Sequence, residues 1–200
     1  MKLLNRHKEL ISSVDAQYNA AGNTQSLKKL HGALTAEMIR DELLNYFIQH
    51  QLPFKPSKQN VYIVGLANEF DILIAKVNAE PTMGILYKPE DVVAIIEVKS
   101  AGLINPEKEA NAILNIADRV YEKYPHIAFG YLTMIENSPV NSISWGDVPT
   151  VDHWRITQDV LGRMRQRNAQ LAVVHHNAGK DVVSSDEEWD AFITHLCSGK

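Results

Sequence analysis

Apolar and polar residues in the first fifty positions alternate with the spacing of helices. An apolar stripe repeats every three to four residues over 2–20 and predicts an amphipathic helix. A second helix is predicted over 26–49, with Ser26 as N-cap and Gly32 as a point where it can bend. Pro53 and Pro56 end this helical section, because proline cannot continue a helix.

From residue 61 onward the chain changes to short apolar runs of strand length. Runs 61–64 and 70–75 flank a turn and predict a β-hairpin. Run 92–98 is the strongest strand signal, and a helix over 106–123 and a strand over 128–135 follow it. A polar loop containing Trp145, a helix over 151–168, a strand over 171–175 and a last helix from Ser185 complete the prediction.

This order of elements predicts an α/β fold with a central mixed β-sheet flanked by helices. We expect an N-terminal helical extension, residues 1–25, and one globular domain, residues 26–200. The first helix is expected to dock on its own domain; the alternative is that it pairs with a second copy in a homodimer.

The composition indicates the cellular compartment of the protein more clearly than its function. The chain is 45% apolar with a net charge of −4, so any surface that binds nucleic acid must be a local basic one. Cys197 is the single cysteine, which excludes an intrachain disulfide and agrees with a reducing compartment. The sequence shows neither a signal peptide nor a membrane-spanning run, and we expect a cytoplasmic protein with no membrane partner.

Three charged residues interrupt the apolar strands. Glu97 and Lys99 are two positions apart at the end of run 92–98 and therefore share one face of the strand. Asp71 lies inside run 70–75, where an unpaired carboxylate costs several kcal/mol. A divalent cation shared by Asp71 and Glu97 would neutralise both, and Mg²⁺ commonly takes one or two carboxylates together with water and phosphate oxygens.

Glu37 is a fourth charged residue in apolar surroundings. At 100° per residue it projects within roughly 20° of Leu44 and Ile48 on the second helix. A carboxylate in this apolar stripe is predicted to face the core.

Asp71 followed by Glu97-Val98-Lys99 in a second strand resembles the motif of the PD-(D/E)XK nuclease superfamily. The layout FDILI…IIEVKSAG after a helix looks like an uncharacterised bacterial branch of it, and the resemblance covers roughly residues 30–135. Phe70 stands where the motif has proline, a position at which true members also vary.

The resemblance implies a restriction-endonuclease-like core and a metal-dependent nuclease. Asp71 and Glu97 would bind Mg²⁺, for which Mn²⁺ may substitute, and Glu37 from the preceding helix would join them. Lys99 would orient or deprotonate the attacking water. The implied reaction is hydrolysis of DNA phosphodiester bonds by an endonuclease, and defence against foreign DNA is associated with the fold.

Two alternative functions stay open at this point, and so does the role of several polar residues. The chain can be an inactive binding module that contacts nucleic acid or protein, although such members usually lose one motif residue. It can cleave RNA. Arg40, Arg163 and Arg167 are candidate phosphate contacts, while a solvated helix end explains the last two equally well. Asn111, Asn115 and Asp118 share a helix face for which solvent exposure is the favoured interpretation.

Overall fold

A computed structural model describes residues 2–21, 27–99, 108–135, 163, 166–167, 169–175 and 186–198. The predicted polar loop with Trp145, nearly all of the predicted helix over 151–168, and the predicted cap Ser185 lie outside these residues. Within them, the chain forms a mixed α/β structure with two mixed sheets.

The described part of the chain contains a short 3₁₀ helix (Pro89–Asp91) and four longer α-helices: α1 (Lys2–Ala21), α2 (Leu27–Gln49), α3 (Lys108–Lys123) and α4 (Asp186–Cys197). All four were predicted, and α2 continues through Gly32. No helix in the described residues has both the length and the apolar character needed to cross a membrane.

The larger sheet has five strands: β1 (Phe54–Pro56), β4 (Ile72–Lys76), β6 (Val92–Lys99), β7 (Ala128–Ile135) and β8 (Ala169–His175). Their spatial order is β1-β4-β6-β7-β8. The pairings of β4 with β1 and with β6 are antiparallel, whereas β6, β7 and β8 pair in parallel. The crossover from β6 to β7 through α3 is the connection that parallel neighbours require.

The smaller sheet has three short strands: β2 (Val61–Ile63), β3 (Glu69–Phe70) and β5 (Leu86–Tyr87), in the order β3-β2-β5. The antiparallel pair of β2 and β3 confirms the predicted hairpin. The predicted single strand over 70–75 is wrong, because the chain bends at Asp71 and passes from the small sheet into the large one.

Strand β1 was not predicted, because two prolines argued against regular structure there. It lies at the edge of the sheet and pairs only with β4. Proline has no main-chain N–H to donate, and an edge strand tolerates this because it has a neighbour on one side only. Strand β5 was also missed within a segment that was predicted as a loop.

Apolar side chains cover both faces of the large sheet. On one face, α1, α2 and α4 pack on residues that include Ile72, Ile96 and Val98. On the other face, α3 and the small sheet pack on residues that include Leu73 and Ile95. The sheet is therefore the middle layer between helices, as the order of elements predicts.

The predicted apolar stripe of α2 through Glu37, Leu44 and Ile48 is wrong in its direction. The buried side chains on this helix include Ala36, Ile39, Leu43 and Phe47, while Ile48 is 66% exposed. At 100° per residue, this buried face is roughly 115° away from Glu37. Both faces of α2 are apolar, and the one without a carboxylate packs on the sheet.

Helix α1 docks on α2 of its own chain, with Leu3, His7 and Ile11 buried. His7 Nε2 lies 3.1 Å from Thr35 Oγ1, whose proton is donated to the carbonyl of His31 at 2.7 Å. Because the hydroxyl has a single proton, His7 Nε2–H must be the donor to Thr35. Burial, together with the charge on His31, lowers the pKa of His7 to about 4, so the ring is neutral at pH 7.

We expect acid to destabilise this helix pair. The folded-state pKa of His7 is depressed from 6.5 to about 4, so its contribution to stability is present above pH 6.5 and is lost as the pH falls toward 4. The loss should approach about 1.4 kcal/mol per pH unit inside that window. Urea unfolding of wild type and His7→Gln, which retains a donor but does not titrate, measures it. Parallel pH profiles for the two proteins would contradict the assignment.

Candidate functional site

The register of β4 and β6 brings Asp71 and Glu97 together. Ile72 pairs with Ile96 in the antiparallel ladder, so the next step of the same register sets Asp71 opposite Glu97. The main-chain N–H of Val98 donates to Asp71 Oδ2 at 2.8 Å. In return, the main-chain N–H of Asp71 donates to the Glu97 carboxylate. Each acid is thus held by the strand that carries the other.

The bend at Asp71 explains why a carboxylate is tolerated there. Strand β4 begins at Ile72, and its ladder with β6 ends at the pair Ile72–Ile96. Before Ile72, no main-chain carbonyl of β4 is available to accept a hydrogen bond from β6. The N–H of Val98 would lack a partner, and Asp71 Oδ2 accepts its hydrogen bond instead. The predicted cost of Asp71 in an apolar run is therefore partly offset by a hydrogen bond that the sequence did not reveal.

Glu97 points toward the α3 side of the sheet, because its neighbours Ile96 and Val98 both pack on the α2 side. The pKa of Glu97 is raised to about 7, mainly by burial and to a smaller extent by the nearby charges of Asp71 and Glu69. The Lys99 ammonium and the Asp71 N–H act in the opposite direction. Burial is therefore the main reason that the pKa of Glu97 is raised, and the neighbouring carboxylates add to its effect.

Lys99 is the last residue of β6, and its side chain is exposed. It lies two residues after Glu97 and so on the same side of the strand. The structure thus brings together three of the four predicted site residues, namely Asp71, Glu97 and Lys99.

Glu37 is not joined to the other three by any contact among the described residues. Its carboxylate accepts hydrogen bonds from Arg40, with Nε at 2.7 Å, and from Gln59 Nε2 at 3.3 Å. The hydrogen bond from Arg40 is the main cause that lowers the pKa of Glu37. Its side chain is 45% exposed rather than facing the core, on the flank of α2.

Two of the three predicted phosphate contacts form internal ion pairs. Arg40 binds Glu37 and Asp41. Arg167 binds Asp118 of α3, and its Nη1 also donates to the carbonyl of Arg163 at 2.9 Å. Arg163 itself is exposed.

Sequence reasoning missed Glu69 and Tyr62. Tyr62 Oη donates to Glu69 Oε2 at 2.5 Å, across the β2–β3 pair. This hydrogen bond and the charge of Glu69 raise the pKa of Tyr62. Glu69 lies two residues before Asp71, on the other side of the bend that separates β3 from β4, so strand periodicity in the sequence did not predict its position.

Asp71 and Glu97 are the residues that could hold a metal ion. In the described part of the chain, no group of three or more His, Cys, Asp or Glu side chains is arranged for metal binding. Two carboxylates are nevertheless a sufficient protein share for Mg²⁺, which keeps waters and takes phosphate oxygens as its other ligands. Burial and the neighbouring carboxylates disfavour the charged form of Glu97, and a bound divalent cation would favour it. The donor set fits the ion.

No known family model, curated protein or solved structure matches the chain. The relation to PD-(D/E)XK nucleases therefore stays a resemblance of motif and site residues.

Two substitutions of Asp71 should distinguish the effect of its hydrogen bond on stability from the effect of its charge. Asp71→Ala leaves the N–H of Val98 without an acceptor and should lower the free energy of unfolding by about 1–3 kcal/mol. Asp71→Asn keeps an acceptor oxygen and removes a charge beside Glu97, so it should be at least as stable as wild type without metal. Denaturant unfolding in EDTA measures both. Equal destabilisation by the two substitutions would refute the assigned hydrogen bond.

Stability without metal should fall as pH rises through the range in which Glu97 ionises. The folded-state pKa of Glu97 is raised from 4.5 to about 7, so its contribution is fully present below pH 4.5 and is lost by pH 7. Relative to Glu97→Gln, the wild type should lose roughly 3 kcal/mol across this window. Thermal unfolding in EDTA at several pH values measures the difference. A constant difference from pH 4.5 to 8 would contradict it.

Proposed function

We propose that this chain is a Mg²⁺-dependent nuclease with a restriction-endonuclease-like core, hydrolysing phosphodiester bonds of DNA. The observation that carries the proposal is the pairing of Asp71 with Glu97 on adjacent antiparallel strands, with Lys99 on the same side. The sheet between two layers of helices, with β6, α3 and β7 as its crossover unit, supports the same class of fold.

Each residue of the site has a role that its contacts allow. The N–H of Val98 fixes Asp71 Oδ2, and the carboxylate would bind the metal through its other oxygen. Glu97 is oriented by the N–H of Asp71. A bound Mg²⁺ would supply the positive charge that activates water and offsets the charge developing on the phosphate. Lys99, exposed at the end of β6, would take or give a proton at the attacking water.

Glu37 enters the proposal only as a residue to be tested. Its carboxylate is engaged by Arg40 and Gln59, so it would have to leave both to reach a metal at Asp71. We therefore assign the ion to Asp71 and Glu97 and keep Glu37→Gln as a separate variant.

A catalytically inactive binding module is the second candidate. Degenerate members of such a fold usually lose a motif residue, whereas Asp71, Glu97 and Lys99 are all present here. The choice of DNA as the substrate follows from the resemblance alone, and so does endonucleolytic cleavage. An assay on DNA and RNA in parallel is the appropriate test.

Purified protein should cut nucleic acid in Mg²⁺ or Mn²⁺ and not in EDTA. Asp71→Asn, Glu97→Gln and Lys99→Ala should each reduce the rate by roughly 100-fold or more, because each removes a group that acts on the reacting phosphate or water. Gel assays on plasmid DNA, linear DNA and RNA measure the rates and show which nucleic acid is cut.

Two exposed residues away from the site provide matched controls. Lys76→Ala removes a strand-end lysine from β4, and Glu80→Gln neutralises an exposed glutamate. Both should cut at the wild-type rate. If Lys99→Ala and Lys76→Ala give the same pattern on every substrate, the nuclease assignment fails.

A further inference from the structure

A cleft of about 430 Å³ lies outside the Asp71–Glu97 site, between the 65–68 turn and the last turns of α3. Its lining includes Asn68 on one wall and Arg119, Glu122 and Lys123 on the other. Nothing in the motif resemblance assigns a role to these residues.

The turn that forms one wall of the cleft is anchored on α3. Lys123 Nζ donates to the carbonyl of Gly65, and Tyr124 Oη donates to the carbonyl of Val64 at 2.6 Å. Gly65 has φ +86°, and a Cβ there would lie 2.5 Å from Tyr124 Oη. Any other side chain would be strained at this positive φ, so glycine favours the backbone conformation of the turn.

The other wall presents hydrogen-bond donors in a regular row. The row recurs every four residues along α3, and its members are all exposed: Asn111, Asn115, Arg119 and Lys123. Arg119 bonds the carbonyl of Asn115, and Lys123 bonds the turn. The row spans about 18 Å at 1.5 Å per residue. The row itself contains no carboxylate, although Asp118 and Glu122 of the same helix lie beside it.

Arg119 is the residue of this row that is equipped to bind an anion. Its Nε donates to the carbonyl of Asn115 at 3.1 Å, which holds the guanidinium in place. Its two terminal nitrogens make no hydrogen bond to any of the described residues. Glu122 and the C-terminal carbonyls of α3 repel an anion. The positive charges of Arg119 and Lys123 therefore exceed the negative charge around the cleft only modestly.

The cleft lies on the face of the sheet toward which Glu97 points, and its Asn68 wall is the part that is near Asp71. Its other wall, on the last turns of α3, is farther from Glu97, because α3 runs back toward the start of β7. Asn68 is three residues before Asp71, so their Cα atoms are at most about 11 Å apart. Helix α3 packs on the sheet face toward which Glu97 points. A nucleic-acid strand at Asp71 and Glu97 could therefore continue into the cleft.

We propose that the cleft binds a backbone phosphate of the nucleic-acid strand that meets Asp71 and Glu97. Arg119 is the contacting group, Lys123 keeps the turn in place, and Glu122 limits the affinity. The inference rests on the proposed function, because the phosphate that would bind in the cleft belongs to the nucleic-acid strand proposed to bind at Asp71 and Glu97.

Salt dependence of binding tests the proposal without requiring cleavage. The probe is a short fluorescein-labelled oligonucleotide, single-stranded or as a duplex, titrated with protein in EDTA over a series of salt concentrations. Each phosphate contact adds about 0.7 to the slope of log K against log salt for a single strand, and about 0.9 for B-form DNA. Arg119→Ala should reduce the slope by that amount and weaken binding about three- to tenfold at low salt.

Two variants control for net charge. Lys29→Ala removes the same charge from the exposed surface of α2, across the sheet, and should leave the slope unchanged. Glu122→Gln should tighten binding at low salt. The proposal is overturned if the oligonucleotide does not bind, or if Arg119→Ala and Lys29→Ala both retain the wild-type slope.

The cleavage assay on the same proteins distinguishes the two proposals. Metal-dependent cleavage that is lost in Glu97→Gln, together with an unchanged slope for Arg119→Ala, would refute the cleft and leave the nuclease assignment standing. A reduced slope for Arg119→Ala in a protein that cuts no substrate would support the cleft and refute the nuclease assignment.

Discussion

The hydrogen bond from the Val98 N–H to Asp71 Oδ2 is the interaction on which the site depends. The chain leaves the small sheet at Glu69–Phe70 and enters the large one at Ile72, so the ladder to β6 ends between them. The carboxylate of Asp71 completes the ladder and is thereby fixed opposite Glu97. A hydroxyl or amide side chain could complete it equally well, without placing a second negative charge beside a half-buried acid. The choice of two acids is therefore a cost that stability alone does not explain.

Much of this arrangement could be predicted from the sequence, because it follows from short-range pattern. An apolar strand that ends in Glu97 and Lys99 indicates a functional edge through the two-residue alternation alone. The crossover helix and β7 follow from periodicity and chain order. The exact partner of Asp71 could not be predicted, since it depends on where β4 begins relative to β6.

Helix α2 shows where sequence reasoning fails and why. Its apolar residues cover most of its circumference, so periodicity could not decide which face packs on the sheet. The prediction selected the stripe that contains Glu37, and the structure buries the one that contains Ile39 and Leu43. The i,i+3 spacing of Glu37 and Arg40 was visible in the sequence and predicts the ion pair that holds Glu37 on the flank of the helix.

The distribution of the arginines explains how an acidic chain could still meet a phosphate backbone. Arg6 and Arg167 form ion pairs with carboxylates on neighbouring segments, and Arg40 pairs with Glu37 on its own helix. All three therefore contribute little to an outward positive field. Arg119 bonds only a main-chain carbonyl among the described residues and keeps its charge directed to solvent. Local placement, not net charge, sets where an anion can bind.

Anomalous diffraction from crystals soaked in Mn²⁺ tests the central claim most directly. The account predicts one strong peak between the carboxylates of Asp71 and Glu97, within about 2.0–2.2 Å of an oxygen of each. The same soak of Glu97→Gln crystals should show no peak there. A wild-type map without density at this position, or with the ion bound only at Glu37, would contradict the account.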